Sequence, residues 1–161
     1  MQNVLMIGSG SQIAQAISQA LPDTSKIYEL SRQNTDYCED SLRDHAGLIV
    51  ERFESKQPLD LVISCIGFLK NDVAKPEKRF ADLNSDALLE YYRINTVIPT
   101  LCIKHFAPLL NKTTTAKFAL LSAMVGSIQE NELGGWYGYR SSKSALNMVV
   151  RSAAIEIRRT H

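Results

Sequence analysis

Hydrophobic residues occur along the chain in two alternating patterns, short apolar runs and longer stretches with helical spacing. Short runs are typical of buried strands, whereas apolar residues repeated every three or four positions indicate amphipathic helices. The runs predict four strands, at residues 4–7, 26–30, 61–66 and 117–122. The helical spacing predicts helices at residues 13–21, 40–56, 87–110 and 137–159, with polar loops at 70–82 and 126–138.

Strands that are apolar on both faces and alternate with helices predict a parallel sheet covered by helices. Because right-handed crossovers connect such strands, we expect an α/β fold with a doubly wound parallel sheet. No linker, repeat or low-complexity segment divides the chain, so residues 1–161 are expected to form one domain. Ligands of such folds bind beyond the carboxyl ends of the strands, which directs attention to the residues that follow each strand.

Composition argues against several classes of function. The 161 residues carry 18 Lys and Arg against 17 Asp and Glu, a formal charge of +1, which argues against a nucleic-acid or acidic-membrane binder. The longest apolar stretch, 61–69, is too short to span a bilayer, and the N-terminus shows no secretory signal pattern. The three cysteines form no CxxC pair, which argues against a disulfide framework and predicts a cytoplasmic location. No metal site is predicted either, because ligand spacing is also absent from His45, His105 and His161.

The first predicted strand is followed by a glycine-rich turn, Gly8-Ser9-Gly10-Ser11-Gln12-Ile13, that leads into a helix. Glycines permit a tight turn, and backbone N–H groups at a helix N-terminus can face the pyrophosphate of a dinucleotide. These six residues are therefore candidate cofactor-binding residues. Gly-Ser turns follow strands in many proteins, so an ordinary turn is the alternative interpretation.

Ser31 and Arg32 follow the second predicted strand. Dinucleotide-binding folds that prefer NAD place an acidic residue here, where it bonds the ribose 2′-hydroxyl. A hydroxyl and a guanidinium suit a 2′-phosphate instead. A solvated surface arginine is the alternative interpretation of Arg32. Glu29 is a rival acidic residue, which we place inside the strand and therefore too early to reach the ribose.

Tyr139 and Lys143 begin the last predicted helix four residues apart, so their side chains share one helix face. A phenol with a pKa near 10 is a poor acid–base catalyst at neutral pH. A neighbouring ammonium stabilises the phenolate and lowers that pKa, which favours proton transfer. Tyr and Lys also occur at this spacing by chance, so the pair alone does not identify a catalyst.

Further motifs extend along the chain: Gly67, Asn95, Pro76-Glu77-Lys78, the 121–128 segment LSAMVGSI and the 134–147 segment GGWYGYRSSKSALN. Together with the glycine turn, they resemble the short-chain dehydrogenase/reductase family over essentially the whole chain. Within that family the similarity is to the Sniffer-like carbonyl reductases and the C-factor-like proteins.

The resemblance implies a Rossmann-type fold and an NADP-dependent oxidoreductase that acts on a small-molecule carbonyl or secondary alcohol. Tyr139 would be the general acid that protonates the carbonyl oxygen. Lys143 would hold the nicotinamide ribose and lower the pKa of Tyr139. Asn95 would hold a water that links Lys143 to solvent. Helices related to the last two long ones pair in family dimers, so a homodimer is also implied, with no nucleic-acid or membrane partner.

The cofactor-binding motifs depart from the family pattern. Gln12 and Ala14 stand where the family's turn usually has glycines, and the Gln12 side chain lies near the expected pyrophosphate. The family's Asn-Asn-Ala-Gly is replaced by Ser-Cys-Ile-Gly at 64–67. Only the glycine of that motif is kept, and Cys65 and Gly67 are the candidate cofactor-binding residues of this segment.

The catalytic serine of the family is matched by Ala123. Ser122 is kept as a catalytic candidate, although it is one residue early and strand alternation would turn it to the other face. Ser127 would substitute only if its loop folds back. Loss of this hydroxyl would remove one donor to the developing oxyanion, which costs about 10²–10³ in rate at comparable sites.

Pro99 gives an argument for Asn95 that does not depend on the resemblance. A helical residue 99 would donate its N–H to the carbonyl of residue 95, and proline has no N–H. The Asn95 carbonyl is therefore freed, and a kink is expected there. The free carbonyl suits a water relay, and an ordinary kink open to solvent is the alternative.

The sequence is compatible with two functions. The first is the NADP-dependent oxidoreductase with Tyr139 as general acid and base. The second is a nucleotide-binding signalling or regulatory protein of the C-factor-like kind with little or no turnover, which Ala123 and Gln12 favour. Family members continue beyond the matched helix with further strands and a substrate loop, so the fold is expected to lack the family's last strands and to be C-terminally incomplete.

Overall fold

The computed structural model describes residues 2–159. The N-terminal methionine and the last two residues, which include His161, lie outside that range. The described residues form two compact units. The sheet unit contains residues 2–66 and 101–121, and the helical unit contains residues 67–100 and 122–159.

The sheet unit contains a parallel four-stranded sheet in the order β2-β1-β3-β4. The chain enters at the centre with β1, adds β2 on one side, and then adds β3 and β4 on the other, which is the doubly wound arrangement. The prediction of an α/β fold with a parallel sheet is confirmed. The strands are β1 (Asn3–Ile7), β2 (Lys26–Leu30), β3 (Leu61–Ser64) and β4 (Lys117–Leu120).

Two strands end two residues earlier than the apolar runs predict. Beyond the end of β3, the Cys65 N–H still donates to the Ile7 carbonyl at 2.8 Å. Beyond the end of β4, the Leu121 N–H donates to the Ser64 carbonyl at 3.0 Å. The chain then leaves the ladder. Beyond β3 the apolar run continues because Ile66 is buried, whereas beyond β4 Leu121 is half-buried and Ser122 is exposed.

Five α-helices are present among the described residues. Ser11 begins the first and Asn84 the third, since each side chain accepts a backbone N–H of the first turn. The second ends early, at Arg52, because Glu54 adopts a positive φ of 52°. The helices are α1 (Gln12–Ala20), α2 (Glu39–Arg52), α3 (Ser85–Tyr92), α4 (Ile98–Phe106) and α5 (Tyr137–Ile157).

The predicted helix over 87–110 is three elements rather than one. A π-helical turn, Arg93–Val97, separates α3 from α4, and the Ile98 N–H donates to the carbonyl of Arg93, five residues earlier. Pro99 explains the change of helix type, because its ring would clash with the carbonyl four residues before it. Widening the turn by one residue relieves that clash, and Asn95 lies within the widened turn.

Each unit has its own buried core. In the sheet unit, β1 is buried over both of its faces, consistent with a sheet flanked by helices. Its fully buried apolar side chains include Val4, Leu5, Met6, Ile7, Leu30, Leu42, Ile49, Leu59, Val62, Cys102 and Phe106. In the helical unit, Phe68 and Tyr139 pack against a cluster formed by Ala74, Ala87 and Tyr91.

Candidate active site

The glycine turn lies where β1 and β3 end side by side. Gly8 has a φ of +77°, and a Cβ at this position would lie 3.2 Å from the carbonyl carbon of Cys65. The N–H groups of Gly8 and Ser9 both donate to the Leu30 carbonyl, at 2.8 and 3.0 Å. Strand order reverses between β2 and β3 around β1, and this switch point is where doubly wound sheets bind ligands.

The N-terminus of α1 directly follows this turn. Ser11 caps the helix by accepting the Ala14 N–H at 3.1 Å. Gly10, Gln12 and Ile13 are exposed, and a Cβ on Gly10 would meet nothing within 4 Å. A helix N-terminus preceded by open backbone suits an anion such as a pyrophosphate.

Cys65, a candidate cofactor-binding residue, lies against the glycine turn. Burial raises the pKa of its thiol, and a hydrogen bond with the Ser11 side chain acts in the opposite direction. The thiol is half-buried. The structure thus brings Gly8, Ser11 and Cys65 together within the sheet unit.

Ser31 and Arg32 follow β2 in a turn organised by Asn34. The Asn34 side chain accepts the Ser31 N–H at 2.8 Å and donates to the Glu29 carbonyl at 2.9 Å. Arg32 is exposed, and Glu29 lies inside β2, as expected. Sequence reasoning did not identify Asn34, although an Asn shortly after a strand end is a recognisable turn signal.

Tyr139 lies in the first turn of α5 and is half-buried. Its ring makes edge contacts with those of Tyr91 and Trp136, with centroids 6.1 and 6.2 Å apart. Burial raises the pKa of the Tyr139 phenol. The expectation that Lys143 lowers this pKa is therefore wrong for this structure, because burial disfavours the charged phenolate and shifts the pKa upward.

Lys143 is nearly inaccessible to solvent, with 2% of its surface exposed. A Cβ on Gly67 would lie 3.4 Å from the Lys143 amine nitrogen, so the two predicted site residues are adjacent. Burial lowers the pKa of this amine. Gly126 also lies close to Lys143, since a Cβ there would lie 3.0 Å from the Cβ and 3.1 Å from the carbonyl carbon of Lys143.

Asn95 is fully buried, and its side-chain amide is bonded on both sides. The oxygen accepts the Phe68 N–H at 2.8 Å, and the nitrogen donates to the Phe68 carbonyl at 3.0 Å and to the Ser142 hydroxyl at 3.1 Å. The side chain thus joins the segment after Gly67 to α5. Sequence reasoning did not identify Ser142 as its partner.

Ser122 is bonded to a residue that sequence reasoning also missed. Its hydroxyl donates to the Asn147 side-chain oxygen at 2.6 Å. A serine has one O–H to donate, so Ser122 would have to give up this bond to stabilise an oxyanion. The hydroxyl of the other substitute, Ser127, accepts the Glu130 N–H at 3.3 Å.

Residues 2–159 lack both a metal-binding cluster and a membrane-spanning helix. No group of three or more His, Cys, Asp or Glu side chains there could hold a metal ion. No helix in the same range is long and apolar enough to cross a membrane.

The chain is similar to known proteins over most of its length. Residues 12–161 match the family model described as enoyl-(acyl carrier protein) reductase. A 1-hydroxy-2-glutathionyl-2-methyl-3-butene dehydrogenase of Rhodococcus sp. strain AD45 is 30% identical over 92% of this chain and 68% of its own length. The C-signal protein of Myxococcus xanthus is 31% identical over 63% of this chain and 58% of its own.

Solved structures of carbonyl reductases have the same fold. The Sniffer carbonyl reductase of D. melanogaster superposes with a TM-score of 0.83 at 23% identity, over 98% of this chain and 76% of that one. An NADPH-bound carbonyl reductase from chicken fatty liver superposes with a TM-score of 0.67 at 25% identity, over 98% and 63%. With a family model that covers almost the whole chain, this protein belongs to the short-chain dehydrogenase/reductase family of oxidoreductases.

Proposed function

We propose that the protein is an NADP-dependent oxidoreductase that interconverts a small-molecule carbonyl and a secondary alcohol, with Tyr139 as general acid and base. The observation that carries the proposal is on α5. A half-buried phenol and a buried amine stand one helical turn apart there, and the amine lies against Gly67. A lysine on an ordinary helix surface is exposed to solvent, so the burial of Lys143 against Gly67 points to a function.

The glycine turn fits the pyrophosphate of a dinucleotide. The positive φ of Gly8 and its contact with Cys65 produce a turn that only glycine adopts without strain. The exposed backbone at Gly10 and the N-terminus of α1 then offer N–H groups to an anion. Ser9, Gln12 and Ile13 complete this proposed phosphate site.

Ser31 and Arg32 support a preference for NADP. Arg32 provides an exposed guanidinium directly after β2, and no carboxylate occupies the turn position that would bond a free 2′-hydroxyl. The chicken carbonyl reductase, which is NADPH-bound, is consistent with this preference. We therefore assign the 2′-phosphate contact to Arg32 and the hydroxyl of Ser31.

When bound, a nicotinamide cofactor would supply the hydride, that is two electrons and one proton, that the carbonyl carbon needs. The Tyr139 phenol donates its proton to the carbonyl oxygen, which completes the alcohol, and takes that proton back in the reverse direction. The Lys143 amine holds the nicotinamide ribose hydroxyls. The Asn95 carbonyl, in the π-helical turn before Pro99, holds the water that returns a proton towards Lys143.

Substitution of Tyr139 tests this proposal. NADPH is expected to bind the purified chain more tightly than NADH, as measured by nucleotide fluorescence. Tyr139→Phe should lower kcat by at least about a hundredfold while NADPH affinity stays within about threefold, because only the proton donor is lost. A wild-type chain that neither binds NADPH nor depends on Tyr139 for turnover would contradict the proposal.

A second candidate function is favoured by one observation at the site. Ala123 lacks the hydroxyl of the family serine, and Ser122 donates its proton to Asn147 instead of leaving it available. The protein would then bind nucleotide and act as a signalling or regulatory protein with little turnover, as the similarity to C-signal suggests. Retention of biological activity by Tyr139→Phe, with intact NADPH binding, would decide for this function.

We also propose a cytoplasmic homodimer. The α5 helix exposes Met148 and Ile155, at 67% and 42% of their surfaces, and leaves Val149 and Ala153 only half-buried. A second copy of α5 would cover this apolar face. Light scattering of the purified protein is expected to give twice the 18.0 kDa chain mass.

A further inference from the structure

Glu77 is a buried carboxylate that the proposed chemistry does not use. Only 5% of its surface is exposed. One carboxylate oxygen accepts the Gly138 N–H at 3.3 Å. The other has no hydrogen-bond partner within the described part of the chain. A carboxylate is costly to bury, and this one is directed at the residue immediately before Tyr139.

The same residue also holds the turn that leads into α5. The carbonyl of Glu77 accepts the Trp136 N–H at 2.6 Å. Trp136 has a φ of +53°, which is unfavourable for a bulky side chain. Gly135 has a φ of +64°, and a Cβ there would lie 3.3 Å from the Glu77 carbonyl oxygen. Backbone strain of this kind persists only when surrounding contacts enforce it.

Glu77 supplies the cap that α5 lacks locally. Trp136 is the residue before the first turn, and its side chain makes no capping hydrogen bond. The first N–H groups of a helix need acceptors, and a negative charge there is favoured by the helix dipole. Glu77 meets this need from a segment about 60 residues away in sequence.

Gly138 is held from a second direction by Tyr91. A Cβ on Gly138 would lie 2.4 Å from the Tyr91 ring and 3.0 Å from the unpartnered Glu77 oxygen. Tyr91 is in turn fixed, because its hydroxyl donates to the Leu69 carbonyl at 2.8 Å. The first turn of α5, which carries Tyr139, is therefore clamped between the Tyr91 ring and the Glu77 carboxylate.

We propose that Glu77 is a positioning residue for Tyr139: through the Gly138 N–H and the Trp136 turn, its side chain sets where α5 begins and therefore where the phenol lies. This inference rests on the proposed oxidoreductase function. The length of the Glu77 side chain is the decisive property, because its carboxylate oxygen must lie close enough to accept the Gly138 N–H.

Three variants separate the reach of Glu77 from its charge. Glu77→Gln keeps the length and an acceptor oxygen, Glu77→Asp keeps the charge but is shorter, and Glu77→Asn is short and neutral. We expect the Asp and Asn variants to lower kcat about tenfold with an unchanged KM for NADPH, because a misplaced reacting group slows the chemical step. Glu77→Gln should stay within about threefold of wild type. Glu156→Gln, an exposed carboxylate at the far end of α5, is the matched control.

A second measurement does not depend on activity. Trp136 is the only tryptophan of the chain, so its emission and its quenching by acrylamide report directly on the turn. Increased quenching and faster amide exchange over 136–139 are expected in the Asp and Asn variants but not in Glu77→Gln. If wild type proves inactive, the oxidoreductase proposal fails, whereas these signals still test whether Glu77 holds the start of α5.

Three results would overturn the inference. Glu77→Gln could damage kcat as much as the short variants, which would make charge rather than reach the cause. The short variants could lower the unfolding midpoint while kcat and the Trp136 signals stay unchanged, which would make Glu77 a stabilising cap only. All three variants could also match wild type in every measurement.

Discussion

At position 123 the chain has an alanine where its resemblance to the family leads us to expect the catalytic serine. Its neighbour Ser122 has a hydroxyl, but the proton is donated to Asn147 at 2.6 Å. The two positions also differ in exposure, since Ser122 is exposed and Ala123 half-buried. A serine hydroxyl at position 123 would therefore differ from that of Ser122 in both its surroundings and its hydrogen bonding.

Ala123→Ser should raise kcat for carbonyl reduction by about tenfold or more, because oxyanion donors contribute about 10²–10³ where they are present. Ser122→Ala should change kcat by less than about threefold, since its only proton is already donated. Steady-state kinetics with one aromatic ketone or diketone at saturating NADPH measures both. A large loss in Ser122→Ala, with no gain in Ala123→Ser, would show that Ser122 is the oxyanion donor.

Arg32 is the residue that distinguishes the two nicotinamide cofactors in our proposal. Arg32→Ala should weaken NADPH binding by about tenfold to a hundredfold, the value of a charge-assisted contact with phosphate, and leave NADH binding unchanged. Arg43→Ala removes an exposed arginine that pairs with Asp40 and serves as the control. Equal loss of both cofactors in Arg32→Ala would contradict the 2′-phosphate assignment.

The first turn of α5 is tightly packed at Gly138. Gly138 admits no side chain, because the Tyr91 ring occupies the space where a Cβ would lie. Gly47, in α2, is exposed and has nothing within 4 Å of the corresponding position. The same substitution therefore has opposite consequences in the two helices.

Gly138→Ala should lower the free energy of unfolding by about 1–3 kcal/mol, the usual cost of overpacking. Gly47→Ala should raise it by about 0.5–1 kcal/mol, because alanine loses less backbone entropy than glycine in a helix. Urea unfolding followed by circular dichroism measures both. Equal effects of the two substitutions would contradict the close packing of α3 against α5.

For the whole molecule, several buried groups keep their protons to unusually high pH. Burial raises the pKa of the Cys102 thiol to about 12, and burial likewise raises those of Tyr37 and Tyr91 to about 12. Between the ordinary values and about 12, the folded chain binds more protons than the unfolded chain, so stability falls as pH rises. Lys143 acts oppositely, since burial lowers the pKa of its amine.

The stability contributed by these three groups should accordingly be fully present below about pH 8.5, the ordinary pKa of a thiol, and decline towards pH 12. Between pH 9 and 10 the decline should come mainly from Cys102, at up to about 1.4 kcal/mol per pH unit for one proton. Cys102→Ala should flatten that part of the curve, whatever its effect at pH 7. Urea titrations at each pH provide the measurement, and an unchanged slope would contradict the prediction.

Elements and turns were predictable from sequence where a local pattern controls them. The strands β1 and β2, the glycine turn after β1 and the start of α5 follow from apolar runs, glycine and proline positions. Pro99 predicted a break within 87–110, since a missing N–H acts locally. That the break is a π-helical turn was not predictable, because the widened turn is one of several ways to relieve the same clash.

Sequence alone determined the fold class, the order of the elements and the family, because periodicity and motif spacing are properties of neighbouring residues. Only the tertiary structure decided which distant groups meet. Glu77 reaches Gly138 and Asn95 reaches Phe68, each across a separation that no pattern encodes. The direction of the Tyr139 pKa belongs to the same class, because burial by other segments, and not the lysine one turn away, dominates its electrostatics.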